Sequence, residues 1–301
     1  MKIEQKFAKS FQISSPYRKV LVQQCFQYEI TDHPSSLTDG GAMYHSNKSD
    51  LLKQLREIDG VKISKPKYGD SVIIVDLSVI VNALSYRKSI SPKTFEDFSM
   101  NYVYKELMDM CKGCDRIDIV SDSYPTGINL KESLQTERGI GKRFKFHDNT
   151  KFPANFASDF LRNSDNKREF YPYLIEKVLS KAWLEDKIVV GTKNEEVITN
   201  YKGNIFDVSV PSCSHIEADT RLVIHIINCL MSGLKNIFVR TNDTDVIVLL
   251  IAYLPTFLEH GAINIVCICG VCWYRTVQGV VISSFVKWIG LHFEFFQSWE
   301  M

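Results

Sequence analysis

Six carboxylates recur in one kind of place along this chain. Asp76 closes the apolar run SVIIVD, and Asp122 closes RIDIVSD. Glu217 and Asp219 open the segment IEADTRLVIHIINCLM, while Asp243 and Asp245 sit behind NIFVRT in the stretch VRTNDTDVIVLL. All six stand at the expected carboxyl end of a strand or at a helix start beside one. In open α/β sheets that edge holds the crevice where ligands bind. Like charges brought there without compensation repel one another and resist burial. Such a cluster therefore predicts bound divalent cations, and oxygen-only donors select the hard ions Mg2+ or Mn2+ over zinc. Two ions about 4 Å apart activate a water and stabilise the leaving oxygen in phosphodiester hydrolysis. A second role is open to each acid: aspartate behind a strand is a frequent helix N-cap, and NDTD is placed to cap the helix VIVLLIAYL. Asp118, inside RIDIVSD, is set aside as an edge or solvent-facing residue.

Positioning these groups takes strands separated by helices. SVIIVDLSVIVNALS opens as a strand apolar on both faces, the pattern of a strand inside a parallel sheet, and turns helix-like. A helix near 96–111 leads to RIDIVSD, and YPTGINLKESLQTERGIGKRFKF begins with a turn and continues as a basic helical stretch. NKREFYPYLIEKVLSKAWLED reads as a helix and KIVVG as a short strand. SHIEADTRLVIHIINCLMSGL is a helix closed by Gly233, followed by the strand NIFVRT. Upstream, HSNKSDLLKQLREI places Leu51, Leu52, Leu55 and Ile58 at helical spacing behind Ser49 and Asp50. The alternation predicts a doubly wound α/β fold, a mainly parallel central sheet flanked by helices in three layers. An N-terminal extension over 1–69 and a poorly specified tail over 271–301, of the kind a truncated chain leaves, would bracket a domain over 70–270.

Composition bounds the function. A net charge of +1 sets no field that would demand nucleic acid or membrane, so any basic surface is local. No apolar run is long enough for a signal peptide or a membrane span, and an intracellular location is expected, nucleus or cytoplasm. The cysteines read as reduced, buried or idle thiols: Cys111 and Cys114 have C-x-x-C spacing and Cys267, Cys269 and Cys272 crowd together, but no sequential His pair completes a zinc site. His215, two residues before Glu217, could approach the cluster but reads as a cap or surface residue; His225, inside an apolar helix, as satisfying a local hydrogen bond; and Tyr124 could stack on a base but reads as packed against its turn.

IIVDLS, IVSDSYP, IEADTRL and VRTNDTDVIVL together resemble, in sequence order, the acidic motifs of the flap-endonuclease-like branch of the PIN nuclease superfamily. The resemblance spans roughly residues 70–252, and QYEITDHPSSLTD and NKSDLLKQL are similar to a group of animal proteins carrying this domain. It implies a PIN-like, Rossmann-like fold and assigns Asp76 and Asp122 to the first two motifs, Glu217 and Asp219 to the helix-start pair, and Asp243 and Asp245 to the last pair. All six would be metal-holding catalytic acids, with one or two Mg2+ or Mn2+ ions and DNA or RNA as partner. The basic residues after the second motif, Lys131, Arg138, Lys142 and Arg143, would hold phosphate or form a solvated helix face; Lys131 and Arg138, seven apart, share a face if the helix is continuous, whereas Arg143, beyond Gly139 and Gly141, need not.

One departure qualifies the resemblance. After Asp245 the chain has no aspartate, only Glu259, Glu294 and Glu300, so the family's downstream acidic motif is missing. A weakened nuclease, or a degenerate module that binds nucleic acid or protein without turnover, is the alternative expectation. A phosphatase on a similar sheet fits less well, because VDLSVI has a serine where the second aspartate of its motif belongs. The tail supplies one further strand, INIVCI.

Overall fold

The computed structural model describes residues 70–124, 141–182, 188–200, 210–268 and 279–281, and the backbone pairing of 38–39 with 42–43. The chain divides into two compact units, Met1–Lys48 with Thr126–Ile140, and Ser49–Pro125 with Gly141–Met301. Within the first, Thr38–Asp39 pairs antiparallel with Ala42–Met43. The second carries all six acids.

Its centre is a seven-stranded sheet. The strands are β1 (Ser71–Asp76), β2 (Arg116–Val120), β3 (Ile188–Lys193), β4 (Glu196–Thr199), β5 (Asn236–Arg240), β6 (Asn264–Ile268) and β7 (Gly279–Val281). Across the sheet they lie in the order β4-β3-β2-β1-β5-β6-β7. The five from β3 to β6 are parallel, and β4 and β7 close the two edges antiparallel. From β1 the chain steps outward to β2 and β3, then returns to the other flank of β1 for β5 and β6. The direction of growth therefore reverses between β1 and β5, which is where a crevice opens at the carboxyl edge of such sheets.

β1 has no exposed residue, because its alternate side chains enter different cores. Ile73 and Val75 face α1 (Leu77–Ser85), the α2 segment (Phe95–Asp97, a π-helical stretch Phe98–Val103, then Tyr104–Met110) and α3 (Ser164–Ala182). Val72 and Ile74 face α4 (Ala218–Met231), α5 (Thr244–Ala252) and α6 (Leu254–Glu259). Helices thus cover both faces, giving three layers with the expected α/β architecture. The first core holds a ring cluster in which Phe95, Phe98, Phe156, Phe160 and Phe170 are buried. Gly233, at φ 90°, ends α4 as expected.

Some elements differ from expectation. β3 turns into β4 through Asn194 at φ 56°, forming a hairpin that the sequence reading left out. The tail adds β7 as well as the expected β6. Residues 141–147, the end of the basic stretch, are not helical. Gly141 lies so close to α3's lead-in that an added Cβ would sit 2.1 Å from the Asp159 carbonyl oxygen. Buried Asn166 then pins the strap, donating to the Lys142 carbonyl at 2.7 Å and accepting from the Phe144 N–H at 2.9 Å. The helix expected from HSNKSDLLKQLREI lies outside the described residues.

Candidate functional site

Asp76 ends β1 and begins α1. Its Oδ1 accepts from the Ser78 N–H at 2.8 Å, so the carboxylate caps the helix and leaves only 7% of the residue exposed. Burial raises its pKa, hydrogen bonds from Ser78 pull it back, and the Asp122 charge raises it again, leaving it at about 6.

Asp122 lies two residues beyond β2. Its Oδ1 accepts from the Ala218 N–H at 2.9 Å and its Oδ2 from the Tyr124 hydroxyl at 3.1 Å. The end of one strand therefore grips the first residue of α4. Glu217 occupies the N-cap position of that helix, is exposed, and makes no capping hydrogen bond with its side chain.

Asp219 follows in the first turn of α4. Burial, then the charges of Asp243, Asp76, Glu217 and Asp122, push its pKa to about 7. Carboxylates delivered by four separate stretches of chain thus act on one group. Asp243 is the N-cap of α5, its Oδ1 accepting from the Asp245 N–H at 3.0 Å. Asp245 is exposed in the first turn of the same helix. Asp76 and Asp243 are therefore helix caps and members of a charged cluster at once, because a cap on the helix after a parallel strand stands at the carboxyl edge.

The donor set is all oxygen and mutually repulsive, chemistry that suits a hard divalent cation. Among the described residues no group of three or more His, Cys, Asp and Glu is placed to hold a metal ion. The acids share a field rather than a closed coordination shell.

Of the four basic residues expected on phosphate, Lys131 and Arg138 lie outside the described residues. Lys142 pairs with Asp159 at 3.4 Å. Arg143 is bound to Glu169 at 2.5 Å and to Asn166 at 3.0 Å, which ties it to α3.

Three groups around the acids, Tyr171, Lys167 and Arg221, were not singled out in the sequence, although Tyr124 was. Tyr124 is stacked on Tyr171 with ring centroids 6.0 Å apart, and the Lys167 ammonium lies over the Tyr124 ring, 4.8 Å from its centre. Burial and neighbouring negative charge hold both phenols well above their ordinary pKa, so the Tyr124 hydroxyl remains a donor to Asp122. Arg221, two residues past Asp219 and almost fully buried, donates to the carbonyls of His215 at 2.7 Å and Cys213 at 3.0 Å, and to that of Asn194. It clamps the lead into α4 and the β3–β4 turn together. The signal for it was a charged residue at an inward position of an otherwise apolar helix.

Asp118 is neither at an edge nor facing solvent. It is fully buried in β2, with Arg116 bidentate on it at 2.6 and 2.8 Å and the His225 Nδ1 2.6 Å from its Oδ2. His225 therefore reaches across to the sheet instead of bonding locally. Burial drives the Asp118 carboxyl up, but the Arg116 charge and the His225 hydrogen bond outweigh it, so Asp118 titrates below the usual carboxylate range. Asn228 accepts a further bond from Arg116 at 3.0 Å. This network, which also touches Cys229, fastens α4 to β2. Cys111, Cys114, Cys213, Cys229 and Cys267 are all buried, as expected, and stand outside any disulfide.

Compared with family models and with curated proteins, the sequence matches none.

Proposed function

We propose that this chain is a metal-dependent phosphodiesterase of nucleic acids, a nuclease of the PIN-like, flap-endonuclease-like kind. The observation that carries the reading is the coupling of the acids: Asp219, with its pKa pushed to about 7, feels Asp243, Asp76, Glu217 and Asp122 together. Perturbed carboxylates cluster at functional sites, and a divalent cation would relieve the repulsion. The place also supports the reading, since the cluster stands at the carboxyl edge beside the reversal between β1 and β5.

Asp76, Asp122, Glu217, Asp219, Asp243 and Asp245 would hold one or two Mg2+ or Mn2+ ions, which when bound would supply positive charge to the phosphate and activate a water. The chain's own part is positional. Asp122 sets the start of α4, and with it Glu217 and Asp219; Asp243 sets the start of α5; Arg221 holds the lead into α4. Tyr124 fixes the second oxygen of Asp122.

The test is cleavage of end-labelled single-stranded, flap and duplex DNA and RNA with Mg2+ or Mn2+, against Asp243→Ala plus Asp245→Ala. Cleavage that needs the metal and disappears in the folded double variant is expected. A folded protein that binds metal and nucleic acid without cutting would overturn the catalytic claim and mark a module that keeps the fold without turnover.

A further inference from the structure

We infer that a cavity at the far end of α1 is a binding site for a nucleoside monophosphate, separate from the carboxylates and independent of the nuclease reading. α1 leaves Asp76 at the carboxyl edge and ends at Ser85, 9 residues and about 14 Å further on. There a cavity of about 540 Å3 lies between the turn after α1 and the segment leading into Phe156–Phe160. Small-molecule sites fall in the same range, about 300–1,000 Å3.

Its lining combines three chemistries. The first is a flat apolar wall. The half-buried Phe152 ring packs on Phe98 at 4.8 Å and on Phe156 at 4.5 Å between centroids, and the Phe152 N–H donates to the Lys93 carbonyl at 2.9 Å. The wall is therefore part of the core and is fixed without a ligand. Pro92 and exposed Tyr86 extend the lining, a surface on which a planar ring can lie.

The second chemistry is cationic. Arg87 and Arg162 both line the cavity, and no Asp or Glu does among the described residues. Glu106, outside the lining, receives the Arg87 guanidinium bidentately at 3.0 and 3.3 Å, which fixes its plane and leaves three of its five N–H groups for other acceptors. Arg162 is exposed and has no ion-pair partner among the described residues. The third chemistry is neutral and polar, from the Asn155 amide and the Ser91 hydroxyl.

A ring, an anion and hydrogen-bonding groups between them describe a nucleotide. Phosphate takes paired guanidinium bonds, a base lies against an aromatic face, and an amide such as that of Asn155 reads a base edge. A purely apolar ligand would cover both guanidinium groups without replacing their water. Inorganic phosphate would leave the Phe152 wall in water.

Calorimetry on the full chain in chelator tests the site, with AMP, GMP, CMP and UMP each beside its nucleoside, and with inorganic phosphate and benzoate as the separate parts. At least one nucleotide should bind about tenfold or more tighter than its nucleoside, the worth of a hydrogen bond to a charged group. Arg162→Ala should remove most of that difference, because the variant no longer tells the phosphate from its absence. Asn155→Ala should weaken nucleotide and nucleoside alike. Asp243→Ala/Asp245→Ala should bind the nucleotide like the parent. Folded parent chain that binds none of the nucleotides, or that binds benzoate or phosphate as tightly, would overturn the inference. So would Arg162→Ala with its full preference for nucleotide over nucleoside. Loss of nucleotide binding in Asp243→Ala/Asp245→Ala would put the ligand on the carboxylates, which also overturns this site while leaving the nuclease reading standing.

Discussion

The Asp122 carboxylate accepts a hydrogen bond from the backbone N–H of Ala218, 96 residues along the chain, at 2.9 Å. A strand-end acid thus does for α4 what Glu217, at the cap position, does not do. Charge and acceptor can be separated here. Asparagine keeps the acceptor for Ala218, and its amide can donate to the Tyr124 oxygen, whereas alanine removes both. Asp122→Asn is expected to stay within about 0.5 kcal/mol of the parent in urea unfolding, and Asp122→Ala to be about 1 kcal/mol less stable than Asp122→Asn. Both should lose metal-dependent cleavage. Equal stability of the two variants would show that the bond carries no weight.

The raised acids make a pH prediction with a definite sign. Asp219 and Asp76 titrate at about 7 and about 6 in the folded chain, while unfolded aspartates titrate near about 3.9. Folded protein then holds these protons more tightly than unfolded protein. Ionising the pair opposes folding: the penalty is absent below about pH 4, grows as pH rises, and levels off above about 7. In chelator, Asp219→Asn should stabilise the chain above pH 7 by about 1 kcal/mol, a value discounted because the group is partly exposed to screening solvent. Below pH 4 the gain should vanish. Melting curves across pH check this, and a gain of equal size at every pH would contradict it.

What the sequence made legible follows from locality. Strands such as 71–76 and 116–120 announced themselves by composition, and α4 by its period and by Gly233. The acids were legible because the end of a parallel strand is also the start of the next helix, so one local feature placed each of them. Partnerships across the fold were not. RIDIV alternates like a half-exposed strand; only the guanidinium of Arg116 and an imidazole 107 residues away make a buried Asp118 tolerable. The hairpin of β3 and β4 escaped because its turn uses Asn194 instead of glycine and its second strand, EVIT, has no buried residue. The basic stretch reads as a continuing helix until Gly141 and Asn166 show that its end is strapped to α3.

The buried network predicts a large and asymmetric response. Asp118→Ala leaves the Arg116 guanidinium, 1% exposed, without its carboxylate, and should cost about 3–5 kcal/mol. Adding Arg116→Met should recover most of the loss, since an apolar pair needs no compensation. The sign with pH is opposite to that of Asp219: a carboxyl held below its ordinary range contributes stability that is present above about pH 4 and is lost as pH falls further. The double variant should therefore show a flatter acid limb in urea unfolding. Full loss in the double variant as well would mean that the network matters through its shape and not through its charge.

Asp243 can be divided between its two roles in the same way. Its Oδ1 caps α5 through the Asp245 N–H, and its charge is the strongest of the carboxylates acting on Asp219. Serine is as good a cap as aspartate but brings no charge. Asp243→Ser should hold its stability within about 0.5 kcal/mol of the parent, with Asp243→Ala about 1 kcal/mol lower. The titration of Asp219 should move down toward the ordinary carboxylate range, and Mn2+ affinity should fall. Partners outside the coordination shell alone are worth about 10–100-fold in metal affinity, so losing a ligating carboxylate should cost no less. Calorimetry with Mn2+ and the cleavage assay read this directly. A serine variant that binds metal and cleaves like the parent would leave Asp243 as a helix cap and nothing more.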